Sequence, residues 1–290
     1  MKRAKHFPLP TEKLLLAKNL SAAELRLVVS NYYQSQEMRK AADMQLRHLG
    51  DKEEMKLNES LGLLTFMADS FSEIEDRVAR MIKEHLKENP IALWMQAQRG
   101  IGPIIAGGLL AHIDITKAKT AGAIWSFAGL NPEQEWKKGE KRPYNAELKQ
   151  ICWHAGQCFM KQSNDPDCFY GQLYRQRKQF EIQRNEAGGN AERAKTFKVS
   201  PGATKAVKDK LKEGKLPDFN IDARARRYAV KIFLSHLHAV WHWDHFKRHA
   251  PTPWVIEFGG HVHTLEPPHG HLVPGFIAVR ESTVINEAAE

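Results

Sequence analysis

The sequence contains neither a long apolar run nor a secretion signal, and each absence excludes a class of protein. No stretch of its 290 residues reaches the roughly 18 uncharged apolar positions that a membrane span requires. The basic start, MKRAKHFPLPTEK, lacks the apolar run and the small-residue cleavage site of a signal peptide. These two absences predict a soluble, cytoplasmic protein that has no membrane partner.

Cysteine and strand patterns are also scarce. The three cysteines, Cys152, Cys158 and Cys168, are odd in number and form no C-x-x-C pair, so they indicate neither a disulfide framework nor a zinc knuckle. The sequence lacks the alternation of strand and helix segments that a doubly wound sheet requires. The predicted fold class is therefore mainly α: a long helical hairpin, then a helical domain, then a short extended or β tail.

Positive charge is what the sequence does contain. Its formal net charge is +9, and its apolar content of 42% is enough for a buried core. Residues 175–227 hold 15 Lys or Arg against 7 Asp or Glu, so almost the whole excess lies in one segment. Such a segment is either a solvated basic linker or a strip that binds nucleic acid phosphates. A polyanionic partner is the prediction that the charge favours.

Residues 1–90 divide into an arm and two long helices. Proline prevents a regular start over residues 1–20, and Ser21 with Glu24 then forms a capping box before a helix from Ala22 to about Leu49. The second helix carries apolar residues at spacings typical of a coiled-coil seam: Leu57, Leu61, Leu64, Ala68, Phe71, Val78 and Ile82. Residues 21–90 therefore predict a helical hairpin. Its seam packs either on a second copy, giving a homo-oligomer, or on the protein's own core.

The rest of the chain is predicted to form one helical domain with an insertion and a tail. Residues 91–250 show short helical patterns separated by glycine and proline. Within them, residues 185–220 are polar, basic and rich in turn formers, which predicts a mobile insertion. Beyond Pro251, β-forming residues with Gly259-Gly260 and Pro267-Pro268 predict a short hairpin or extended tail over residues 251–290.

The stretch RGIGPIIAGGLL begins at Arg99 and places four glycines in twelve positions. Residues 91–98, 99–102 and 103–113 together predict a helix–hairpin–helix unit. Gly100 and Gly102 would allow a left-handed backbone and bring amides close to a phosphate, toward which the next helix N-terminus points. Ile101 is predicted to point inward. Candidate backbone contacts to nucleic acid are therefore Arg99, Gly100, Ile101 and Gly102; the alternative is a helix start with small residues for close packing.

Two further basic clusters supply candidate phosphate contacts. The first is KKGEKR, which contributes Lys137, Lys138, Lys141 and Arg142. The second is RARR, which contributes Arg224, Arg226 and Arg227 near the start of a predicted helix. Guanidinium groups suit phosphate oxygens because their planar fork makes two parallel hydrogen bonds.

These motifs occur in a definite order. A GIGP turn is followed by acidic Asp114, then by SFAGLNP (126–132), by KKGEKR (137–142) and by the helical NAELKQICWHAGQCFMK (145–161). Over residues 91–165 this order resembles the C-terminal transposase domain of the IS-one-ten family of insertion-sequence transposases. That family is the DEDD, Piv-related group, whose best-known members are recombinases guided by a bridge RNA. The later RARRYAVKIFLSHLHAVW is similar to the closing helix of that domain, and residues 21–90 correspond to the family's coiled-coil dimerisation region.

The chain departs from that family in two respects. Family members carry an N-terminal nuclease-like domain with four acidic metal ligands on a strand-rich fold, whereas residues 1–90 here favour helices. The family also places a nucleophilic serine just before the glycine of the basic segment, where this chain has Lys137-Lys138 before Gly139. Ser126, in SFAGL, is predicted to be a packing residue. The resemblance therefore implies nucleic acid binding and recombination ancestry without a strand-cleaving site.

Histidine and tyrosine residues offer other chemistry. Four histidines spaced four, three and four residues apart would share one helix face: His238, His242, His245 and His249. An i, i+4 pair can hold zinc, with Asp244 or the later HVH and HGH completing the shell, whereas histidines beside a basic helix also suit phosphate contact. Tyr144 is interpreted as a backbone or stacking contact. No cofactor is predicted; Mg²⁺ or Zn²⁺ enters only with a nuclease activity.

The sequence thus supports one principal hypothesis and two alternatives. The principal one is a transposase-like protein of a mobile element that binds DNA backbone, including branched intermediates, as a homo-oligomer. The first alternative is an RNA-binding component, which 2′-hydroxyl contacts would distinguish. The second is a metal-dependent nuclease that uses the C-terminal histidines.

Overall fold

The computed structural model describes residues 11–50, 60–131, 134, 136, 137, 139–251 and 265–276. Eleven α-helices lie in these residues: α1 (Thr11–Leu16), α2 (Ala22–Gly50), α3 (Ser60–Leu86), α4 (Pro90–Ala97), α5 (Pro103–His112), α6 (Ala121–Phe127), α7 (Ala146–Lys161), α8 (Phe169–Glu186), α9 (Ala191–Lys195), α10 (Lys205–Lys212) and α11 (Asp218–Phe246). Short 3₁₀ turns occur at Ala17–Asn19 and Gly270–Leu272. No strand is present in the described ranges, and the mainly α prediction is confirmed.

Two other sequence predictions can be compared with this description. Among the helices of the described residues, none has the length and apolar character needed to span a membrane. The predicted tail falls mostly outside the described residues, since only 265–276 are described beyond residue 251. That portion contains a 3₁₀ turn and no strand, and the predicted extended or β structure stays a prediction for the other residues of the tail.

The chain divides into two compact units. The first unit comprises Met1–Gln96 and Ile101–Asp114, and the second comprises Ala97–Gly100 and Ile115–Glu290. The boundary therefore crosses the RGIG turn between Gly100 and Ile101.

The first unit is built on α2 and α3, whose ends follow from local sequence. The Ser21 N–H donates to Glu24 Oε2 at 2.8 Å, and the Glu24 N–H donates to Ser21 Oγ at 3.3 Å, which is the predicted capping box. The hydrogen bonds from the Ser21 hydroxyl and amide lower the pKa of the Glu24 carboxyl. Asn89 in turn caps α4, since its Oδ1 accepts hydrogen bonds from the amides of Ile91 and Ala92.

The helices α2 and α3 pack antiparallel. Arg39 Nε donates to Glu75 Oε2 at 2.6 Å near the middle of the pair, while Lys18 lies within 4 Å of Glu84 at the far end of α3. Burial alone would raise the pKa of Glu75, but hydrogen bonds from Arg39 and Gln36 outweigh burial and lower it. Glu75 interrupts the apolar repeat of α3, and its role is to bind α2.

The apolar seam of α3 is used inside the first unit. Ala68 and Ile82 are buried, and Ile82 approaches Gly107 of α5 so closely that a Cβ there would lie 2.7 Å from its Cγ2. Leu57 and the Leu61 side chain lie outside the described residues. The exposed face of α3 instead carries Leu63, Phe66, Met67 and Ile74. Self-association through residues 21–90 stays a prediction, and of the described seam residues Ala68 and Ile82 are buried within the first unit.

The second unit is built around α11. This 29-residue helix packs on α6, α7 and α8. Phe159, Tyr170 and Phe233 meet at its centre with ring centroids 5.0–5.6 Å apart, in the tilted and edge-to-face arrangements that aromatic rings favour. All three rings are buried, so they anchor α7, α8 and α11 to one another.

The polar segment 185–220 carries two helices and a small core. Leu216 and Ile221 are buried with Ala194, and Phe197 and Leu211 pack against them. Buried Asn185 holds the segment: its Nδ2 donates to the Leu216 carbonyl at 3.0 Å, and its Oδ1 accepts from the Leu216 amide at 2.9 Å. The mobility of this segment stays a prediction. The low apolar content of this segment gives no sign of the small core, because only a few apolar residues form that core.

Candidate nucleic-acid interface

The RGIG turn contributes to each unit separately. In the second unit Gly100 has φ +94°, a left-handed value that favours glycine, and a Cβ there would lie 3.3 Å from Cys158 Cβ. Arg99 is largely exposed, and its Nε lies 3.6 Å from Asp165 Oδ2. In the first unit Ile101 is 4% exposed, as the sequence predicts, so its side chain serves the core.

The left-handed backbone predicted at both glycines of the turn occurs only at Gly100. Gly102 has φ −91° and ψ 176°, an extended conformation that any residue adopts, and a Cβ there would meet open space. Gly102 serves as the N-terminal cap position of α5, with Pro103 in its first turn. The expectation that Gly102 needs to be glycine is therefore wrong on conformational grounds.

A cleft of about 690 Å³ lies within the second unit, and we call it the basic cleft. It is bounded by four of the stretches singled out in the sequence, namely SFAGLNP, KKGEKR, the helical segment 145–161 and RARR, which α7 and α11 bring together. The described residues that line it are Gly129, Leu130, Asn131, Gln134, Arg142, Tyr144, Ala146, Lys149, Gln150, Cys152, Trp153, Gly156, Ala223, Arg226, Arg227 and Val230.

The SFAGLNP motif forms one wall of the basic cleft. Gly129 has φ +64°, and a Cβ there would lie 2.8 Å from the Tyr144 ring, so any side chain would displace this ring. The Asn145 amide donates to the Phe127 carbonyl at 2.8 Å, which ties the motif to the start of α7. Asn145 also caps α7, because its Oδ1 accepts from the Leu148 amide at 2.9 Å. The motif is thus a folded support for Tyr144.

Cations and aromatic rings alternate along this wall. Lys149 Nζ lies 4.1 Å from the centre of the Tyr144 ring, and the Arg142 guanidinium carbon lies 5.4 Å from the centre of the Trp136 ring. Both distances fit cation–π attraction. Lys149, Arg142 and Trp153 are exposed. Among the described residues lining the cleft there is no carboxylate.

The opposite wall rests on a buried ion network. Glu181 of α8 is 1% exposed, and its carboxylate accepts hydrogen bonds from Arg224 Nε at 2.7 Å and from Arg177 Nη2 at 2.6 Å. Burial alone would raise the pKa of Glu181, but these two guanidinium groups outweigh it and lower the pKa. Arg224 is therefore committed to Glu181 and links α11 to α8.

A second carboxylate of this network is also occupied. Asp222 accepts hydrogen bonds from the Tyr174 hydroxyl and from Lys178 Nζ, and its Oδ2 lies 2.8 Å from Arg226 Nε. Burial would raise the pKa of Asp222, yet the bonds from Tyr174 and Lys178 lower it. Arg226 thus reaches the cleft with its charge partly balanced by Asp222.

Arg227 stands in a different electrostatic position. Desolvation of its guanidinium, and then the positive charges of Arg224, Arg193 and Arg226, lower its pKa, although the residue remains exposed at the cleft. Glu181 attracts Arg227 to a smaller extent, and its carboxylate and that of Asp222 already bind other cations. Since arginine keeps its charge in proteins, the surroundings of Arg227 favour an added anion.

The remaining basic residues of KKGEKR lie at a surface turn. The Glu140 amide donates to the Lys137 carbonyl at 3.1 Å, and the Trp136 indole N–H donates to the Glu140 carbonyl at 2.8 Å. Lys137 and Lys141 are exposed beside the cleft-lining Arg142. Lys138 lies outside the described residues.

Three groups with nucleophilic atoms lie at or near the cleft. The Ser126 hydroxyl oxygen accepts a hydrogen bond from Asn131 Nδ2 at 3.3 Å, which fits the predicted packing role. Burial raises the pKa of the Cys152 thiol to about 12, so it is not a thiolate at neutral pH. Tyr144 is covered by the Lys149 ammonium group on one face.

The four candidate metal-ligating histidines do not form one set. His238 Nε2 donates to the Ala118 carbonyl at 2.8 Å, and His242 Nδ1 donates to the Arg248 carbonyl at 3.1 Å, so both buried rings tie loops to α11. His245 is exposed, and His249 lies beyond the helix end at Phe246, 4.8 Å from the Trp243 ring. Within the described ranges no group of three or more His, Cys, Asp or Glu side chains could hold a metal ion.

A fifth histidine, His236, has a fixed tautomer. Its Nε2 donates to the Leu265 carbonyl at 2.8 Å, so its Nδ1 carries no proton and accepts a hydrogen bond from the buried Tyr170 hydroxyl at 2.9 Å. Burial lowers the pKa of His236 from 6.5 to about 4 and raises that of Tyr170 well above 10. His236 is therefore neutral in the folded protein over most of the physiological pH range.

This burial makes stability depend on pH. Above pH 6.5 His236 is neutral in both the folded and the unfolded protein. Between pH 6.5 and about pH 4 His236 binds a proton in the unfolded chain but stays neutral in the folded protein. The free energy of unfolding is therefore expected to fall by about 3 kcal/mol between these pH values, at roughly 1.4 kcal/mol per pH unit. Urea titrations at several pH values measure it. His236→Gln, which keeps a donor and an acceptor but does not titrate, should have a smaller slope; equal slopes would contradict the assignment.

Sequence reasoning missed two cleft residues, Lys149 and Trp153. Both lie on α7, one helical turn apart. The buried residues of this helix, among them Ile151, Cys152 and Phe159, mark its inner face. The same periodicity leaves Lys149 and Trp153 on the outer face, where an exposed tryptophan next to a lysine is the signal that could have identified them.

Comparisons of this chain with protein-family models, with curated proteins and with solved structures find no match.

Proposed function

We propose that this chain binds DNA through the basic cleft and acts in the cytoplasm as a transposase-like component of DNA recombination. The single observation that carries the proposal is the convergence of exposed cations and aromatic rings on one cleft from motifs up to about 100 residues apart in the sequence. Phosphate groups attract the cations, and the rings provide surfaces on which bases stack.

Each cleft residue has a stated role in this proposal. Arg142, Lys149 and Arg227 contact phosphate oxygens directly, and Arg226 does so while it is held by Asp222. Arg224 positions α11 through Glu181 and does not contact the ligand. Contacts of this kind hold the backbone of a nucleic acid and carry no sequence information by themselves.

The exposed turn of KKGEKR extends the proposed contact surface within the second unit, and the RGIG turn supplies separate candidate contacts. Lys137 and Lys141 are exposed next to Arg142. In this proposal they contact the phosphates of the bound DNA strand just outside the cleft. Arg99, Gly100 and Gly102 remain candidate contacts, whereas the buried Ile101 side chain supports the turn. Lys138 belongs to the same proposal on sequence grounds.

We propose that binding occurs without strand cleavage by this chain. Lys137 and Lys138 occupy the place where the resembled family has its serine, and Ser126 bonds to Asn131 at 3.3 Å.

Self-association belongs to the proposal too. The exposed stripe of α3, with Leu63, Phe66, Met67 and Ile74, is the apolar surface within residues 21–90 that supports it.

The salt dependence of binding tests the proposal. On duplex DNA the four cleft cations alone should release enough counterions to give a plot of log affinity against log salt with a slope near −3.5. This slope corresponds to a roughly 100-fold loss of affinity between about 50 and 200 mM salt. Fluorescence anisotropy with labelled duplex, branched and single-stranded DNA, and with RNA of the same sequence, measures it.

The outcomes separate the hypotheses. An affinity that does not change with salt concentration would show that the cations of the basic cleft do not bind DNA phosphates. Tighter binding to RNA at every salt concentration would favour the RNA-binding alternative. Cleavage of labelled DNA in Mg²⁺ or Mn²⁺ that tracks the metal content of the purified protein would favour the nuclease.

A further inference from the structure

We infer that the basic cleft takes an unpaired nucleotide of a DNA strand, with its base stacked on the Trp153 ring and its phosphate at Arg227. This inference rests on the proposed function and deepens it, because it replaces nucleic acid in general by single-stranded or locally unpaired DNA. It follows from three observations on the second unit: the exposure of Trp153, the dimensions of the cleft and the charge around Arg227.

Trp153 differs from the other two rings near the cleft. The Tyr144 ring is covered by Lys149 at 4.1 Å, and the Trp136 ring by Arg142 at 5.4 Å. Trp153 makes an edge-to-face contact with the His154 ring at 5.1 Å, and 55% of its surface is open to solvent. A large indole face left open beside cations is costly in water, and a stacked base would remove it from water.

The size of the cleft accommodates a nucleotide. Its volume of about 690 Å³ lies within the range of pockets that enclose drug-sized ligands, roughly 300–1,000 Å³. One or two nucleotides fit this range, whereas a base-paired duplex contacts a protein over an open surface. A base can reach the wall at Trp153 only when it is not paired inside a helix.

The placement of the two helices brings stacking and charge together. The helices α7 and α11 approach each other at Gly156, where a Cβ would lie 3.2 Å from Val230 Cγ2 and 3.5 Å from Arg226 Cβ. Trp153 precedes this crossing by three residues on α7, and Arg227 follows Arg226 on α11. The ring and the guanidinium therefore line one cleft on either side of the crossing.

The charge around Arg227 completes the site. Arg224, Arg193 and Arg226 act on Arg227 with the same sign and together outweigh the attraction of Glu181, whose carboxylate accepts hydrogen bonds from Arg177 and Arg224. A phosphate next to Arg227 relieves this repulsion, whereas an uncharged ligand does not. An open ring and an exposed guanidinium on one cleft match the base and the phosphate of a nucleotide.

The test compares two oligonucleotides that differ only in their bases. The full-length protein is titrated into labelled dT₁₂ and into an abasic 12-mer of equal charge, and anisotropy gives both affinities. Trp153→Ala is expected to weaken dT₁₂ binding by about 10-fold, within the range for loss of one stacked base, and to leave abasic binding unchanged. Trp153→Phe, which keeps a ring, should recover most of the loss.

The control is Phe180→Ala, which removes another exposed aromatic residue that does not line the cleft. It should bind both oligonucleotides like the parent protein, and circular dichroism should give all variants the same helix content. Equal losses for the two oligonucleotides with Trp153→Ala would overturn stacking but leave the proposed function intact. Absence of binding to duplex and single-stranded DNA alike would overturn the proposed function itself. Tighter, Trp153-dependent binding to rU₁₂ would overturn the assignment to DNA.

Discussion

Replacing Arg142 and Arg227 together by glutamate is expected to lower the affinity of the chain for DNA by 100-fold or more at about 100 mM salt. Each arginine supplies a charge-assisted hydrogen bond to phosphate that is worth roughly 1.5–3 kcal/mol, and two such losses correspond to about 150-fold or more. The reversed charges then repel the phosphates as well. Arg142 and Arg227 belong to opposite walls of the basic cleft, so the double variant disables both.

A matched control separates the cleft from overall charge. Lys195→Glu combined with Lys212→Glu changes the net charge by the same amount, and both lysines are highly exposed, paired with Glu192 and Asp209 and absent from the cleft lining. This variant is expected to lose less than about 10-fold in affinity, through weaker long-range attraction. Equal losses in the two double variants would mean that the whole basic segment 175–227 binds, and that the cleft has no special role.

Replacing Glu181 by alanine is expected to lower the free energy of unfolding by about 3–5 kcal/mol. Removal of one partner from a buried ion pair leaves the other charge without compensation, and this cost is a large part of the 5–15 kcal/mol that stabilises a typical domain. Here two guanidinium groups, those of Arg177 and Arg224, lose their carboxylate, and Arg224 is itself 14% exposed at its side chain. Urea unfolding followed by circular dichroism measures the change.

Glu186→Ala is the control for Glu181→Ala. Both glutamates lie on α8, but the Glu186 side chain is mostly exposed and pairs with Lys215 at 2.6 Å, so its loss should cost less than about 1 kcal/mol. Because Arg224 positions α11, Glu181→Ala should also weaken DNA binding at temperatures where the variant is folded. Similar unfolding midpoints for the two variants would show that the Glu181 network does not support the fold.

Local features of this chain were accessible from the sequence because short-range interactions create them. The capping box needs only Ser21 and Glu24, three residues apart, and its hydrogen bonds form within one turn. The start of α2 at Ala22 follows from this cap, and the start of α5 follows from Pro103, which suits the first turn of a helix. The inward position of Ile101 was also predictable from local sequence. The glycines on either side have no side chains to cover it, so burial in the core is favoured.

Charge partners could not be assigned in the same way. The string RARR presents three arginines as equivalent, yet Arg224 is bound to Glu181, Arg226 lies against Asp222, and Arg227 is repelled by neighbouring arginines more than Glu181 attracts it. Glu181 lies 43 residues before Arg224, and nothing local to either residue indicates the pair. The α3 seam is a similar case, because the same heptad spacing serves packing within a chain or between two chains.

The sequence by itself determined the helical class, several helix ends and the presence of basic and aromatic motifs, since these depend on residues a few positions apart. The tertiary structure alone decided which motifs share a surface. It brought residues 129–156 and 223–230 to one cleft by packing α7 against α11 at Gly156. It also decided which cations are neutralised, since a carboxylate can be buried only where the fold supplies guanidinium groups around it. Arg227 and Trp153 acquire their proposed roles because the fold places other arginines near the one and leaves the other open to solvent.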